Sequence, residues 1–182
     1  MNNNLDNSDY AMTLAGLSTL IKLEAGLATG FKMKSVIILF RLASFSYLNK
    51  SAVRYAFRPF AALYKIYADF LLGIELPAKT QVGPGLRIHH GVGLVVHGNV
   101  RFGKGCMLRQ GVTIGNKGDG DNADRLPTIG NNVEFGAGAI VIGGITVGDN
   151  SIIGAGVVLT KDVPENSVVV GPPPRILTRK IN

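Results

Sequence analysis

An aliphatic or Phe residue recurs at every sixth position through the C-terminal half of this chain. From Ile129 the hexads read IGNNVE, FGAGAI, VIGGIT, VGDNSI, IGAGVV and LTKDVP, led by Ile129, Phe135, Val141, Val147, Ile153 and Leu159. The fifth place of each is small or aliphatic: Val133, Ala139, Ile145, Ser151, Val157 and Val163. A helix requires a period near 3.6 and a flat strand a period of 2, so neither produces a strict six. A fixed short repeat is the signature of a solenoid, whose units bury their apolar faces only against their neighbours. Each hexad can form one short flat side, and about three sides close one turn of a triangular coil. The lead residues then point inward and stack on their equivalents in adjacent coils.

The frame continues upstream. LPAKTQ, VGPGLR and IHHGVG begin at Leu76, Val82 and Ile88. Leu94 and Val95 read as two extra residues that shift the register, after which VHGNVR, FGKGCM and LRQGVT follow from Val96, Phe102 and Leu108, and Ile114 starts another unit. Between Ile114 and Ile129 the period fails. The segment GNKGDGDNADRLPT (115–128) is polar, buries too little apolar surface to form a side, and reads as a loop extruded from a coil. Gly83, Gly103, Gly130, Gly136, Gly148 and Gly154 follow lead residues and read as corner glycines.

Residues 13–73 switch to helical spacing. Leu17, Leu20, Ile21, Leu23 and Leu27 suggest one helix, with Gly26 and Gly30 weakening its end; Val36, Leu39, Phe40, Ala43 and Tyr47 suggest a second. Pro59 can open a third, with Leu63, Ile66, Tyr67 and Phe70 on one face. Lys22, Lys32, Lys34, Arg41, Lys50, Arg54, Arg58 and Lys65 lie among these apolar residues. The segment reads either as a cap over the open end of the solenoid that also joins subunits, or as a basic patch touching an anionic membrane face. The domain organisation is thus a disordered polar stretch over 1–12, a helical segment over 13–73, a β-solenoid over 74–170 and a tail over 171–182.

Of 182 residues, enough for one domain with a real core, 19 are Lys or Arg and 12 Asp or Glu, a formal charge of +7. The sequence pI is near 9.7, which suits an anionic ligand or surface. No basic stripe with interleaved aromatics or other nucleic-acid motif accompanies that charge, so nucleic acid is not expected as a partner. The single cysteine, Cys106, excludes an internal disulfide framework, fits a reducing compartment, and occupies an inward fifth place rather than a nucleophile's position. The chain opens with no basic, then apolar, leader and holds no run long enough to span a bilayer, which points to the cytoplasm.

The three histidines cluster as His89, His90 and His97, with His89 and His90 facing outward at or near a corner. An imidazole with a reference pKa near 6.5 stays largely neutral at cellular pH and can take a hydroxyl proton and later return it. Zinc is the rival reading. Triangular β-helix carbonic anhydrases use a His pair with four residues between, a spacing absent here, so no metal is expected.

IHHGVGLVVHGN, the loop after GVTIGN, SVVVGPPPRI, and the helical stretches FRLASFSYLNK and YKIYADFLLGIEL resemble the serine acetyltransferase-related branch of the hexapeptide-repeat acyltransferases. The likeness is closest to the short colanic-acid-type acetyltransferases of exopolysaccharide synthesis. It implies a left-handed parallel β-helix, a homotrimer with sites between subunits, and acetyl-CoA as donor. It places the catalytic histidine on His90, the carboxylate supporting it on Glu75, and an oxyanion-binding backbone N–H near Gly115 or Asn116. The family's loop arginine, which holds the carboxylate of serine, falls on Arg125. Coenzyme A is expected along the late coils at Gly136, Ala137, Ala155, Gly156 and Lys161, with Arg175 in the tail, where GPPPR resembles the family's exit from the coil. Two positions depart from serine acetyltransferases: the histidine after the loop arginine is Leu126, and the acid before the catalytic histidine is His89. These enzymes also carry a larger helical domain. The departures favour a saccharide acceptor, with His89 tuning His90, binding that acceptor or merely solvated, and leave serine O-acetylation and a non-catalytic trimeric membrane-surface scaffold as alternatives.

Overall fold

The computed structural model describes residues 13–49, 51–118 and 125–172. The expectations for residues 1–12, for the middle of the extruded loop, and for the tail from 173 onward, including Arg175, lie outside the described residues.

Among the described residues, fourteen strands of two or three residues, β1 (Ile74–Glu75) through β14 (Val168–Val169), wind into three parallel sheets. One sheet stacks β1, β4 (Leu94–Val96), β7 (Thr113–Gly115), β10 (Ile140–Ile142) and β13 (Val158–Leu159). The second stacks β2 (Gln81–Val82), β5 (Arg101–Phe102), β8 (Thr128–Ile129) and β11 (Thr146–Val147). The third stacks β3 (Arg87–His89), β6 (Met107–Arg109), β9 (Glu134–Phe135), β12 (Ile152–Ile153) and β14. Every pairing joins a strand to its equivalent one coil away, which is why each hexad contributes one side. All the lead residues from Leu76 to Leu159 are buried and share one core.

The register differs from the sequence reading in two places. Ile74 pairs with Leu94, and Val95 with Thr113, so Leu94 and Val95 belong to a regular side, and Leu94 is buried. His89 pairs with Arg109, while the carbonyl of Val92 accepts from Gly111 N, at the place where Gln110 O accepts from Gly138 N one coil on. The two additional residues are therefore His90 and Gly91, which form a bulge at a corner with His90 exposed and Gly91 buried. Val92, nominally an inward fifth residue, is 52% exposed as a consequence. In the last coil Val163 bridges the lead residue Val147, so it fills a lead column rather than a fifth place.

The glycines after the lead residues are not the turning residues. A Cβ on Gly83 would lie 2.7 Å from the backbone of Gly103, and one on Gly103 2.6 Å from that of Gly130. These positions let successive coils approach closely. The left-handed turns fall elsewhere, including Asn132, Asn150 and Asn166, whose side-chain amides form a ladder at 3.1 Å per step.

Helices α1 (Leu14–Leu27), α2 (Gly30–Leu48) and α3 (Arg58–Lys65) cover the first coil; a 3-10 stretch (Ala52–Phe57) precedes α3 and a π-helical stretch (Ile66–Leu71) follows it. Thr13 caps α1 by accepting from Gly16 N at 3.0 Å, and Pro59 sits in the first turn of α3, where its missing N–H is harmless. Tyr64 turns inward and donates to Leu76 O at 2.8 Å, with Ala68 buried beside it, so α3 packs on that edge and leaves Leu63, Ile66 and Phe70 outside. Leu23, Leu27 and Tyr47 are also exposed.

Arg41, one of the cations that the sequence sets among the apolar residues of the helical segment, is buried against Glu24, at 1% and 0% exposure. Its Nε and Nη2 donate to the Glu24 carboxylate at 2.7 and 2.6 Å, and Nη1 and Nη2 donate to Val82 O and Gly83 O at 2.8 Å. Glu24 Oε1 also accepts from the amides of Gly85 and Leu86 at 2.9 Å. The pair bolts two helices to the first coil.

Candidate active site

The His90 corner is a local consequence of two extra residues in a coil that must still close. His90 takes a left-handed backbone (φ 64°) and Gly91 a positive φ of 29°, and the carbonyl of His90 accepts from Val92 N. A non-glycine residue held in that region stores roughly 1 kcal/mol. Gly91 is required by proximity as well, since a Cβ there would meet Ile74 Cδ1 at 2.8 Å. The bulge thus rests on the start of β1, and Gly93 N donates to Gly73 O at 2.8 Å beneath it. The imidazole of His90 is exposed, and with Val92, Gln110, Lys32 and the first turn of α2 it lines a groove of about 580 Å³.

Glu75 lies on β1, one residue past Ile74, and is exposed in the coil beneath the bulge. Glu75 stands in the column of Val95 and Thr113, within this side rather than at the His90 corner, and no hydrogen bond joins it to His90. The edge carrying the bulge continues through Gln110, Ala137 and Ala155, linked by Gly111 N to Val92 O, Gly138 N to Gln110 O and Gly156 N to Ala137 O at 2.9–3.0 Å. Gly136 packs under the backbone of Ala155. Four of the expected coenzyme-contacting residues thus extend the His90 edge upward as a ledge of small side chains.

The other site residues gather at the opposite end of the same sheet. Gly115 ends β7 beside His97, and His97 Nδ1 accepts from Asn99 N at 3.3 Å. Asn116 follows exposed at the mouth of the extruded loop. Arg125 returns from the loop with its side chain over Gly144, where a Cβ would meet its Cδ at 3.0 Å. Lys161 is exposed on the same edge in the last coil. Gln110 lies in the turn before β7, and Gly115 ends that strand five residues on. His90 and the Asn116–Arg125 edge therefore lie at opposite ends of this side, with the Glu75 column between them.

His89 is half-buried, paired in register with Arg109. Burial, and then the cations Arg109 and Arg87, lower its pKa below the ordinary histidine value. Leu126 packs against the core rather than facing the loop rim. Cys106 is buried, and desolvation pushes its thiol up to about 11. Among the described residues no three His, Cys, Asp or Glu side chains converge as a metal-holding group. Sequence reading missed that Thr29, Lys32 and Gln110 share the groove with His90. Gln110 could have been found by stepping one coil up from the bulge, while Lys32 arrives from a helix and carried no signal.

The bacterial transferase hexapeptide (six repeats) family matches residues 127–161. The colanic acid biosynthesis acetyltransferase WcaB of Escherichia coli K12 is 38% identical over 120 residues, 65% of this chain and 72% of the relative. Serine acetyltransferase of Synechococcus elongatus is 43% identical over 109 residues, 60% of this chain but 44% of the relative. Serine acetyltransferase of Brucella abortus in complex with coenzyme A superposes with a TM-score of 0.71 at 27% identity, covering 90% of this chain and 68% of that one. Isoform 3 of Entamoeba histolytica gives 0.72 at 26%, covering 91% and 62%. The chain thus spans less than half of the cyanobacterial enzyme and under two thirds of the amoebal one. With its helix-capped stack of six-residue sides and these relatives, this chain belongs to the hexapeptide-repeat acyltransferases, left-handed β-helix proteins, in the branch that holds serine acetyltransferases and WcaB.

Proposed function

We propose that this chain is an acetyl-CoA-dependent O-acetyltransferase acting on a saccharide hydroxyl in capsule or exopolysaccharide synthesis. The observation that carries the reading is the His90 bulge: an exposed imidazole bordering a groove, at the foot of a ledge of small residues able to take an extended pantetheine arm. The likeness to a coenzyme A-bound relative and to WcaB supports the donor and the acceptor class.

His90 accepts the acceptor hydroxyl's proton as that oxygen bonds to the thioester carbonyl carbon. Glu75 stabilises the imidazolium. The tetrahedral oxyanion is held by a backbone N–H at Gly115 or Asn116, a donor worth roughly 3 kcal/mol. The C–S bond then breaks, and the coenzyme A thiolate takes the proton from His90. No acyl-enzyme forms. Because His90 and the Gly115–Arg125 edge lie at opposite ends of one side, two protomers complete each site, as in a trimer. The outward aliphatics Val95 and Val158, exposed on that side, suit such packing. Arg125 would contact the acceptor, and Lys161 and Arg175 the coenzyme's phosphates.

Serine is the second reading, favoured by the 43% identity to a serine acetyltransferase. Two departures weigh against it: by resemblance, His89 stands where those enzymes carry an acid, and Leu126, half-buried against the core, where they carry a histidine. The test is thiol release from acetyl-CoA with oligosaccharide or serine as acceptor, followed by mass spectrometry. Oligosaccharide should exceed serine at least tenfold, on the order of the discrimination a built polar site achieves. His90→Ala should lower turnover by about 10²–10⁴. A preference for serine refutes the acceptor; near-normal turnover by His90→Ala refutes the base. Absence of thiol release with every acceptor favours the non-catalytic scaffold.

A further inference from the structure

We propose that α3 and the 3-10 turn before it form a membrane-docking surface, with a cationic cleft that takes the phosphate of an anionic phospholipid headgroup. The cleft, about 480 Å³, is lined by Arg54, Arg58 and Lys65 together with Ser46, Tyr47 and the small residues Ala61 and Ala62. It shares no residue with the His90 groove. No carboxylate lines it, and among the described residues Arg54 and Arg58 make no ion pair, while Lys65 contacts Asp69 at 3.0 Å on the helix surface.

The two guanidiniums are held rather than trailing in solvent. Each lies 4.9 Å from the centre of the Tyr55 ring, and Arg54 Nη2 also donates to the Tyr55 hydroxyl at 3.0 Å. Stacking of this kind fixes the planar fork, and a phosphate is the anion whose oxygens match it bidentately. The overall charge of +7 attracts such a surface from a distance.

The adjoining surface decides between a free phosphate and a lipid. With Tyr64 and Ala68 turned inward, Leu63, Ile66 and Phe70 form an outward stripe at 51%, 55% and 75% exposure. The stripe begins on α3, which carries Arg58 and Lys65, and continues onto the π-helical stretch that follows it. A soluble anion makes no use of three exposed apolar side chains, whereas an interfacial helix buries them at the acyl boundary while its cations hold headgroups. No described helix is long and apolar enough to cross a membrane, so the contact is peripheral.

The experiment is co-sedimentation of the full chain with vesicles, read without turnover, so its outcome is independent of the acetyltransferase reading. The vesicles are equimolar phosphatidylcholine and phosphatidylglycerol, against phosphatidylcholine alone. The wild type should bind the anionic vesicles, lose binding as salt rises, and ignore the neutral ones. Arg54→Ala/Arg58→Ala should weaken partition roughly twenty-fold or more, about fivefold per cation removed. Ile66→Asp should abolish it with the cleft intact. Lys65→Ala, at an exposed position, gives a second reading of the cleft should the double variant not fold, with an expected loss of about fivefold. The proposal falls if the wild type stays in the supernatant or if the cation variants bind as it does. It also falls if Ile66→Asp leaves vesicle binding intact while shrinking the assembly, which would give this face to a second copy of the chain.

Discussion

Breaking the Glu24–Arg41 pair should be among the most destabilising single changes available in the helical segment. Replacing Arg41 with Met removes two charge-assisted bonds to Glu24 and the donors on Val82 O and Gly83 O. It leaves a carboxylate at zero exposure with only the amides of Gly85 and Leu86. Removing one partner of a buried pair typically costs about 3–5 kcal/mol, because the remaining charge has neither water nor a counter-ion. For a chain of this size each kcal/mol moves Tm by about 2–4 °C, so the loss should be about 6–20 °C. Urea unfolding at one fixed protein concentration reads it for Arg41→Met, Glu24→Leu and the double variant. The double variant should lose on the order of 3 kcal/mol less than the sum of the singles, since it leaves no unpaired charge. Single losses below about 1 kcal/mol, or losses that simply add, would refute the argument that burial of one charge depends on the other.

The Cys106 thiol, raised to about 11 by burial, should resist iodoacetamide at pH 8 in the folded protein and react only on unfolding; stoichiometric native labelling would contradict its place in the core. His89 is shifted below the ordinary histidine value, so the folded state binds its proton less readily than the unfolded state does. Its contribution is therefore complete above pH 6.5 and lost on acidification. The urea midpoint should fall between pH 7 and 5, and His89→Gln should reduce that fall, with a His89 NMR titration midpoint above 6.5 as the opposing result. Thr80 is fully buried at a fifth position with its hydroxyl unpartnered, so Thr80→Val should raise stability by about 1–2 kcal/mol in the same assay. A destabilised Thr80→Val protein would indicate that the hydroxyl has a partner after all.

The amino-acid sequence by itself determined the solenoid, because a six-residue side buries its lead residue through purely local geometry and every copy repeats that choice. Ile129, Phe135, Val141, Val147, Ile153 and Leu159 could be assigned inward from spacing alone, and all are buried. It also located the histidine pair and the start of the extruded loop. Tertiary structure alone decided where the register shifts. Leu94 and Val95 look superfluous in a linear count, but pairing one coil away absorbs them and makes His90 and Gly91 the two extra residues instead. Tertiary structure also made Arg41 a buried bolt, since its partners Glu24 and Val82 are remote in the chain. It likewise swung α3 so that Tyr64, not Leu63, faces the core. Periodicity reports which residues share a face. Which neighbour covers that face depends on packing between distant segments, and that is settled only when the coils and helices meet.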